Sequence, residues 1–299
     1  QLFNDAKQRN EELAVLNGLS GELSTLSGIT NISDSVFKYT SQLMRTSSFF
    51  LCLLDEKQLE VSFPLVIDDG ERVEVPSRKA NGNGLTDYVM RTNRTLFLPN
   101  QVNERSRELG INVTIIGNPT SAKSWMGVPL SIGSRVLGAI VVQDPNEENI
   151  YTVHQRDILI TIAQQAAVAI ENTRLFLETQ KFKLGIDRTD NAVFITDPNG
   201  VIQYTNPGFE KVYGYKNEEA IGKTPRILKS GMIPDDQYIN FWGTLLNGGT
   251  ISGEIINKTK DGRIISIAGT NSPILDDNGK VLGFLAVHQD ISERKKSEE

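Results

Sequence analysis

Hydrophobic and polar positions along this 299-residue chain form two successive series of helix-length and strand-length segments. A leucine stripe at three- and four-residue steps predicts a helix over residues 1–26. A second helix is expected over 33–45, with Ser33 or Asp34 as its N-cap. Further helices are predicted over 85–91 and about 153–183. Strands are predicted over 49–54, 59–64, 95–98, 125–130 and 136–142.

The second series starts near residue 193. Its strands are predicted over 193–197, 201–205, 252–259, 263–273 and 281–290. Gly200 suits the turn between the first two, and Asn206 with Pro207 fits the N-cap and first position of a helix. A longer helix is expected over 234–246. The pattern predicts an α+β fold of two domains, each an antiparallel sheet with helices packed on it, joined by a long helix.

Composition narrows the class of protein. The net charge of −6 argues against a nucleic-acid-binding surface, so no nucleic-acid partner is expected. No segment reaches the roughly 18–20 apolar residues that span a bilayer, so no membrane segment is expected. One cysteine, Cys52, suits a reducing compartment, and we expect a cytoplasmic location. With two histidines besides it, no metal site is expected.

The first half resembles a GAF domain. The resemblance rests on the strand pair 125–130 and 136–142, the acidic loop after it, the helix end Ala169-Ile170-Glu171-Asn172, and the upstream run 82–89. It implies a GAF-like sensory domain over 27–178, preceded by the N-terminal helix 1–26. The helix at 153–183 then serves as a linker.

The stretch from Asp190 to Lys296 resembles a PAS sensory domain in the order of its strands and helices. The resemblance implies a PAS-like domain over 185–292 and the start of an exit helix over 293–299. Domains of this family detect signals and rarely catalyse reactions. No enzyme activity is therefore expected within this chain.

Strand alternation selects candidate ligand-binding residues. Phe284, Ala286 and His288 share one face of the last strand. The resemblance places His288 where light-sensing flavin relatives carry a glutamine, whereas the alternative is a histidine bonded to a neighbouring group. Trp242 and Asn257 resemble positions used by flavin-binding relatives. They could equally be a core residue and a polar residue at a strand end.

The resemblance leaves the cofactor unknown. The runs 226–231 and 287–290 resemble flavin-binding redox sensors of nitrogen-fixation regulators, which keeps flavin in the PAS pocket open. No cysteine follows Gly222-Lys223, so cysteinyl–flavin photochemistry is excluded. The long helix at 234–246 has no histidine to act as an axial ligand, which disfavours haem.

A seven-residue apolar repeat runs through the linker helix. Its positions are Ala163, Ile170, Leu177 and Leu184, with Ala166 and Thr173 between them. The repeat fits a parallel homodimer through the N-terminal and linker helices. A helix that covers its own sheet explains the first two positions equally well.

The leading interpretation is a non-catalytic sensory input module that binds a small ligand or partner. It would pass a conformational change through helices to an output domain, either a histidine kinase or a cyclic-dinucleotide enzyme (diguanylate cyclase or phosphodiesterase). The alternatives are a flavin-binding redox or light sensor and a pure dimerisation scaffold.

Overall fold

The computed structural model describes residues 2–80, 82–111 and 122–298. The chain divides into two compact units, Gln1–Leu177 and Glu178–Glu299. This division falls inside one continuous helix.

The first unit is built on an antiparallel sheet. Its elements are α1 (Leu2–Leu23), α2 (Ile29–Leu43), β1 (Ser48–Asp55), β2 (Glu60–Asp68), β3 (Glu71–Arg72), β4 (Arg78–Lys79), α3 (Leu85–Thr92), β5 (Leu96–Leu98), α4 (Val102–Glu108), β6 (Ser124–Ile132), β7 (Arg135–Asp144) and α5 (Val153–Asp187). The strand order is β3-β2-β1-β7-β6-β5, with β4 paired to β2.

Both faces of this sheet are covered. Phe49 and Leu51 of β1 belong to the core shared with α1, α2 and α5. Phe50 and Cys52 point the other way, into a second core that includes α3 residues. Alternate residues of a strand face opposite sides, so a strand buried on both faces reads as an unbroken apolar run.

The predicted start of the second helix was wrong. Helix α2 begins at Ile29, after Gly28 with φ of 95°. Ser33 lies inside the helix, where its hydroxyl donates to the Ile29 carbonyl at 2.8 Å. Gly28 has no side-chain oxygen with which to cap a helix, so the side-chain signal on which the prediction relied is missing at the true start.

Helix α5 runs four residues beyond its predicted end. Ala163, Ala166, Ile170 and Thr173 are buried, and the three apolar residues among them belong to the first core. This half of the apolar repeat therefore covers the sheet of its own unit. Residues 175–185 of α5 are all exposed.

The second unit is a five-stranded antiparallel sheet in the order β10-β11-β12-β8-β9. Its elements are β8 (Ala192–Thr196), β9 (Ile202–Thr205), α6 (Pro207–Tyr213), α7 (Asn217–Ala220), a 3-10 helix (Pro225–Leu228), α8 (Asp235–Leu246), β10 (Ile251–Lys258), β11 (Ile264–Leu275), β12 (Val281–Asp290) and α9 (Ser292–Glu298). The predicted α+β architecture with two antiparallel sheets and a joining helix is confirmed.

The predicted N-cap Asn206 ties α6 to the sheet. Its carbonyl oxygen accepts from the Phe209 amide at 3.0 Å and the Val193 amide at 2.8 Å. Its amide donates to the carbonyls of Ile186 at 2.9 Å and Asn191 at 3.0 Å. One buried side chain thus fixes the end of α5, the start of β8 and the start of α6.

Candidate functional site

The last strand of the second unit, β12, presents its predicted inner face to the interior. Phe284, Ala286 and His288 are all buried, whereas Gln289 is exposed. Strand β12 lies between β11 and β8 in the sheet.

A chain of hydrogen bonds crosses the interior beside this face. Asn257 Nδ2 donates to the Tyr213 hydroxyl at 2.8 Å, and that hydroxyl lies 2.7 Å from His288 Nδ1. His288 Nε2 lies 3.2 Å from Asn271 Oδ1. All four side chains are buried, and together they link β10, α6, β12 and β11. We call these four residues the polar chain.

With the asparagine amides in this orientation, the partners assign the protons of the polar chain. Tyr213 accepts from Asn257, which leaves its own hydrogen to donate to His288 Nδ1. His288 then carries its hydrogen on Nε2 and donates to Asn271. Both imidazole nitrogens are therefore satisfied by protein groups, which is the alternative the sequence left open for His288.

Aromatic rings and one glycine enclose His288. The Phe194 ring meets it edge-on at 5.2 Å between centroids. A Cβ added to Gly269 would lie 2.9 Å from His288 Cδ2, so only glycine leaves room for the imidazole at this position. Burial lowers the pKa of His288 to about 4 and raises the pKa of Tyr213 above its ordinary value. Both side chains are neutral at pH 7.

Two of the three remaining candidates, Trp242 and Phe284, form a separate contact. The Trp242 ring lies edge-on to Phe284 at 5.5 Å, and a Cβ on Gly200 would lie 3.2 Å from the indole. Trp242 is half-buried and lies outside the core of the unit. Ala286 lies between Phe284 and His288 along β12. Of the five candidates, the structure thus brings Asn257 and His288 into one network through Tyr213 and pairs Trp242 with Phe284.

Two members of the polar chain, Tyr213 and Asn271, were not selected as site residues from the sequence. Tyr213 lies at an apolar spacing in its helix, and periodicity does not separate a phenol from a phenyl ring. Asn271 lies on β11 with Ile267 and Gly269 on the same alternating face. Applying to β11 the alternation used for β12 would have selected Asn271.

The interior of the first unit holds a charged pair. Arg78 and Asp87 form two contacts of 3.1 Å, and Asp87 also accepts from the Gly84 amide at 3.2 Å. The Asp87 side chain is 3% exposed and that of Arg78 is 23% exposed. Burial raises the pKa of the nearby Cys52 thiol to about 12, so this thiol is not ionised at neutral pH.

The start of α9 is fastened to the sheet. The Ile291 amide donates to the Ser266 carbonyl at 2.9 Å, and the Ser266 amide donates to Ser292 Oγ at 3.0 Å. Asp290 Oδ1 caps the helix by accepting from the Ser292 amide at 2.9 Å and its hydroxyl at 2.6 Å. His288 is two residues from this cap.

Within the described ranges, no group of three or more His, Cys, Asp or Glu side chains is placed to hold a metal ion. None of the helices described has the length and apolar character needed to cross a bilayer.

The two sheets, their covering helices and the joining helix define a pair of sensory-type α+β domains. Residues 29–170 match the family model of the GAF domain, and residues 180–291 match that of the PAS fold. The chain belongs to these families: it is a tandem of a GAF domain followed by a PAS domain.

Relatives include signalling proteins. The Nitrogen fixation regulatory protein of Klebsiella pneumoniae is 31% identical over 107 residues, which are 36% of this chain and 22% of that protein. Phototropin-1A of Oryza sativa subsp. japonica is 30% identical over 129 residues, 43% of this chain and 14% of that protein. Biofilm dispersion protein BdlA of Pseudomonas aeruginosa is 32% identical over 96 residues, 32% of this chain and 23% of that protein. The chain thus spans less than a quarter of each relative.

Proposed function

We propose that this chain is a non-catalytic sensory input module whose PAS unit binds a small uncharged ligand. Binding alters the polar chain and passes a conformational change through β12 into α9, toward an output domain such as a histidine kinase or a cyclic-dinucleotide enzyme. The observation that carries the proposal is the polar chain itself, a buried hydrogen-bonded network of uncharged side chains, two residues from the cap of α9.

The ligand class follows from the charges of the interior. Among the described residues of the PAS unit, every buried polar side chain is uncharged; these are Thr196, Thr205, Asn206, Tyr213, Asn257, Thr259, Asn271 and His288. An ion moved there would lose its hydration without gaining a counter-ion, which costs several kcal/mol. Amide groups such as that of Asn257 recognise neutral molecules that offer both a donor and an acceptor.

Transmission rests on the short path from His288 to α9. His288 is paired with Gly269 across β12 and β11. Two residues further along β12 lies Asp290, and three residues back along β11 lies Ser266. A ligand that binds one arrangement of the polar chain more tightly shifts the α9 attachment by that difference in affinity, typically about 1–3 kcal/mol.

Binding is tested by native mass spectrometry of the 299-residue chain. A bound small molecule is expected on the purified protein, or after incubation with neutral metabolites such as nucleobases. Asn257→Ala should abolish the complex, and Asn278→Ala, on an exposed turn, should retain it. A complex that survives Asn257→Ala, or no complex with any neutral compound, would overturn the ligand proposal.

Transmission is tested separately with two glycines that face each other. Gly269→Ala forces His288 away, whereas Gly253→Ala, directly opposite on β10, adds a methyl group that meets nothing within 4 Å. Hydrogen exchange at the Ile291 and Ser266 amides should accelerate only in Gly269→Ala, relative to the Val193 amide. Equal exchange in both variants would contradict the path through β12.

Flavin is the second candidate ligand, because the resemblance to flavin-binding relatives selects Asn257 and His288. These two residues lie in one hydrogen-bond network. However, the Tyr213 hydroxyl lies between them at 2.8 and 2.7 Å, and the phenol is fully buried. As arranged, these residues do not fit an isoalloxazine ring, so we expect a colourless protein. Flavin absorption in the purified protein would overturn the small-ligand proposal in favour of flavin.

The remaining alternative, a scaffold with filled interiors, predicts no thermal shift with any added compound.

A further inference from the structure

The side chain of Asn206 holds the end of α5 as well as the start of α6. The last carbonyls of an α-helix have no partner inside the helix. The Asn206 amide donates to one of them, the Ile186 carbonyl, at 2.9 Å, and to the Asn191 carbonyl at 3.0 Å. Its oxygen accepts from the amides of Val193 and Phe209. Both hydrogens and both lone pairs of this buried side chain are therefore used.

Helix α6 is packed tightly against this junction. A Cβ on Gly208 would lie 2.1 Å from the Asn191 carbonyl oxygen, so the first turn of α6 lies directly on the backbone that follows α5. Asn206 caps α6 at one end, and Tyr213 is its last residue, about 10 Å away at the rise of an α-helix. The junction and the phenol of the polar chain are therefore the two ends of one short helix.

Tyr213 is held in place at the far end of α6. Its ring centroid lies 5.1 Å from that of Phe209, the residue whose amide donates to Asn206. Its hydroxyl lies between Asn257 and His288 at 2.8 and 2.7 Å. Hydrogen bonds weaken as their distances and angles depart from the preferred values, so a small displacement of α6 changes both of these bonds.

We propose that Asn206 is a positioning residue that makes the geometry of the polar chain depend on the end of α5. A change in the last turn of α5 moves the Ile186 carbonyl, Asn206 passes the movement to α6, and α6 shifts the Tyr213 hydroxyl relative to His288. The inference rests on the proposed function, because it names what regulates the same site. The coupling itself requires no ligand, and it is tested without one.

Two helical glycines offer a matched test. At Gly185, in the last turn of α5, and at Gly243, in α8, an added Cβ meets nothing within 4 Å. Alanine at either position stabilises its own helix by a similar amount. The measurement is hydrogen exchange at the Gly214 amide, which donates to the Glu210 carbonyl at the end of α6. Gly185→Ala should slow this exchange about threefold to fivefold, and Gly243→Ala should leave it unchanged.

Asn206→Asp breaks the junction and keeps the cap of α6. Aspartate caps a helix as well as asparagine does, but its carboxylate has no hydrogen to donate to the Ile186 carbonyl. In the double variant Asn206→Asp/Gly185→Ala, exchange at the Gly214 amide should therefore match that of Asn206→Asp alone.

Nitrogen NMR of histidine-labelled protein gives a second measurement. The chain has two histidines, and His154, in the other unit, serves as the internal reference. The two ring nitrogens of His288 should give well separated signals in the unmodified protein, because Tyr213 and Asn271 hold one tautomer. Asn206→Asp should bring these signals closer together.

Three results would each overturn the proposal. They are equal effects of Gly185→Ala and Gly243→Ala, an effect of Gly185→Ala that persists together with Asn206→Asp, and unchanged His288 signals in Asn206→Asp. If Asn206→Asp does not fold, the comparison of the two glycine variants decides alone. A protein that passes these tests but binds no neutral compound would contradict only the ligand proposal.

Discussion

The two units differ in the kind of polar group that their interiors contain. The GAF unit holds a charged pair of the buried Asp87 with the partly exposed Arg78, next to apolar side chains. The PAS unit buries the uncharged chain from Asn257 to Asn271. A buried ion pair depends strongly on both partners, because either one alone is an uncompensated charge. A neutral hydrogen bond contributes only about 0.5–1.5 kcal/mol net, so a ligand can replace it at little cost.

The comparison teaches where a sensor can respond. The Arg78–Asp87 pair holds β4 to the start of α3 and resists rearrangement. The polar chain joins four elements through weak, exchangeable contacts. A ligand-dependent change is therefore easier to produce in the PAS interior than at the ion pair.

The largest expected effect comes from the charged pair. Asp87→Ala leaves the Arg78 guanidinium without its counter-ion and should lower the free energy of unfolding of the GAF unit by about 3–4 kcal/mol. The double variant Asp87→Ala/Arg78→Met should recover most of this loss in denaturant titrations. A loss below about 1 kcal/mol would show that solvent already screens the pair and would remove the contrast between the units.

A somewhat smaller effect concerns pH and His288. The groups that face its ring, Phe194, Tyr213, Gly269 and Asn271, are uncharged. Its folded pKa of about 4 lies below the ordinary value of 6.5. The unfolded chain therefore binds a proton first as the pH falls, and the PAS unit should lose about 2–3 kcal/mol of stability between about pH 6.5 and pH 4.

His288→Gln is the control for this pH dependence, because glutamine does not titrate. Urea unfolding of both proteins over a series of acidic pH values gives their free energies of unfolding. Above pH 4, this free energy should fall more steeply with decreasing pH for the unmodified protein than for His288→Gln. If the two proteins lose stability equally as the pH falls, solvent or a charged group must reach the His288 ring.

The smallest effect tests the neutral chain directly. Tyr213→Phe removes one hydroxyl and leaves both Asn257 and His288 short of a partner, at a cost of about 2 kcal/mol. Tyr151→Phe in the GAF unit is the matched control, because the buried Tyr151 hydroxyl has no hydrogen-bond partner in the part of the chain that the structure describes. Thermal melts should show a lower melting temperature for Tyr213→Phe alone. A neutral result at both positions would mean that the polar chain adds no stability.

Local patterns were sufficient for much of this architecture. The N-cap at Asn206 and the inner face of β12 follow from residue types at short spacing. The pairing of Tyr213 with Asn257 and His288 does not, since these residues are 44 and 75 positions apart. The apolar repeat at Ala163 and Ile170 was visible, but spacing alone cannot tell whether such a face meets its own sheet or another molecule.

The hydrogen bonds of the polar chain in the PAS interior can also run in the opposite donor-to-acceptor direction. If both asparagine amides turn over, each donor becomes an acceptor, and the imidazole hydrogen moves from Nε2 to Nδ1. Every bond is then remade in the opposite sense with the heavy atoms almost unmoved. The polar chain can therefore hold two states that differ only in amide orientation and proton location. A neutral ligand that donates a hydrogen bond to Asn257 would favour one state. A ligand that accepts a hydrogen bond from Asn257 would favour the other.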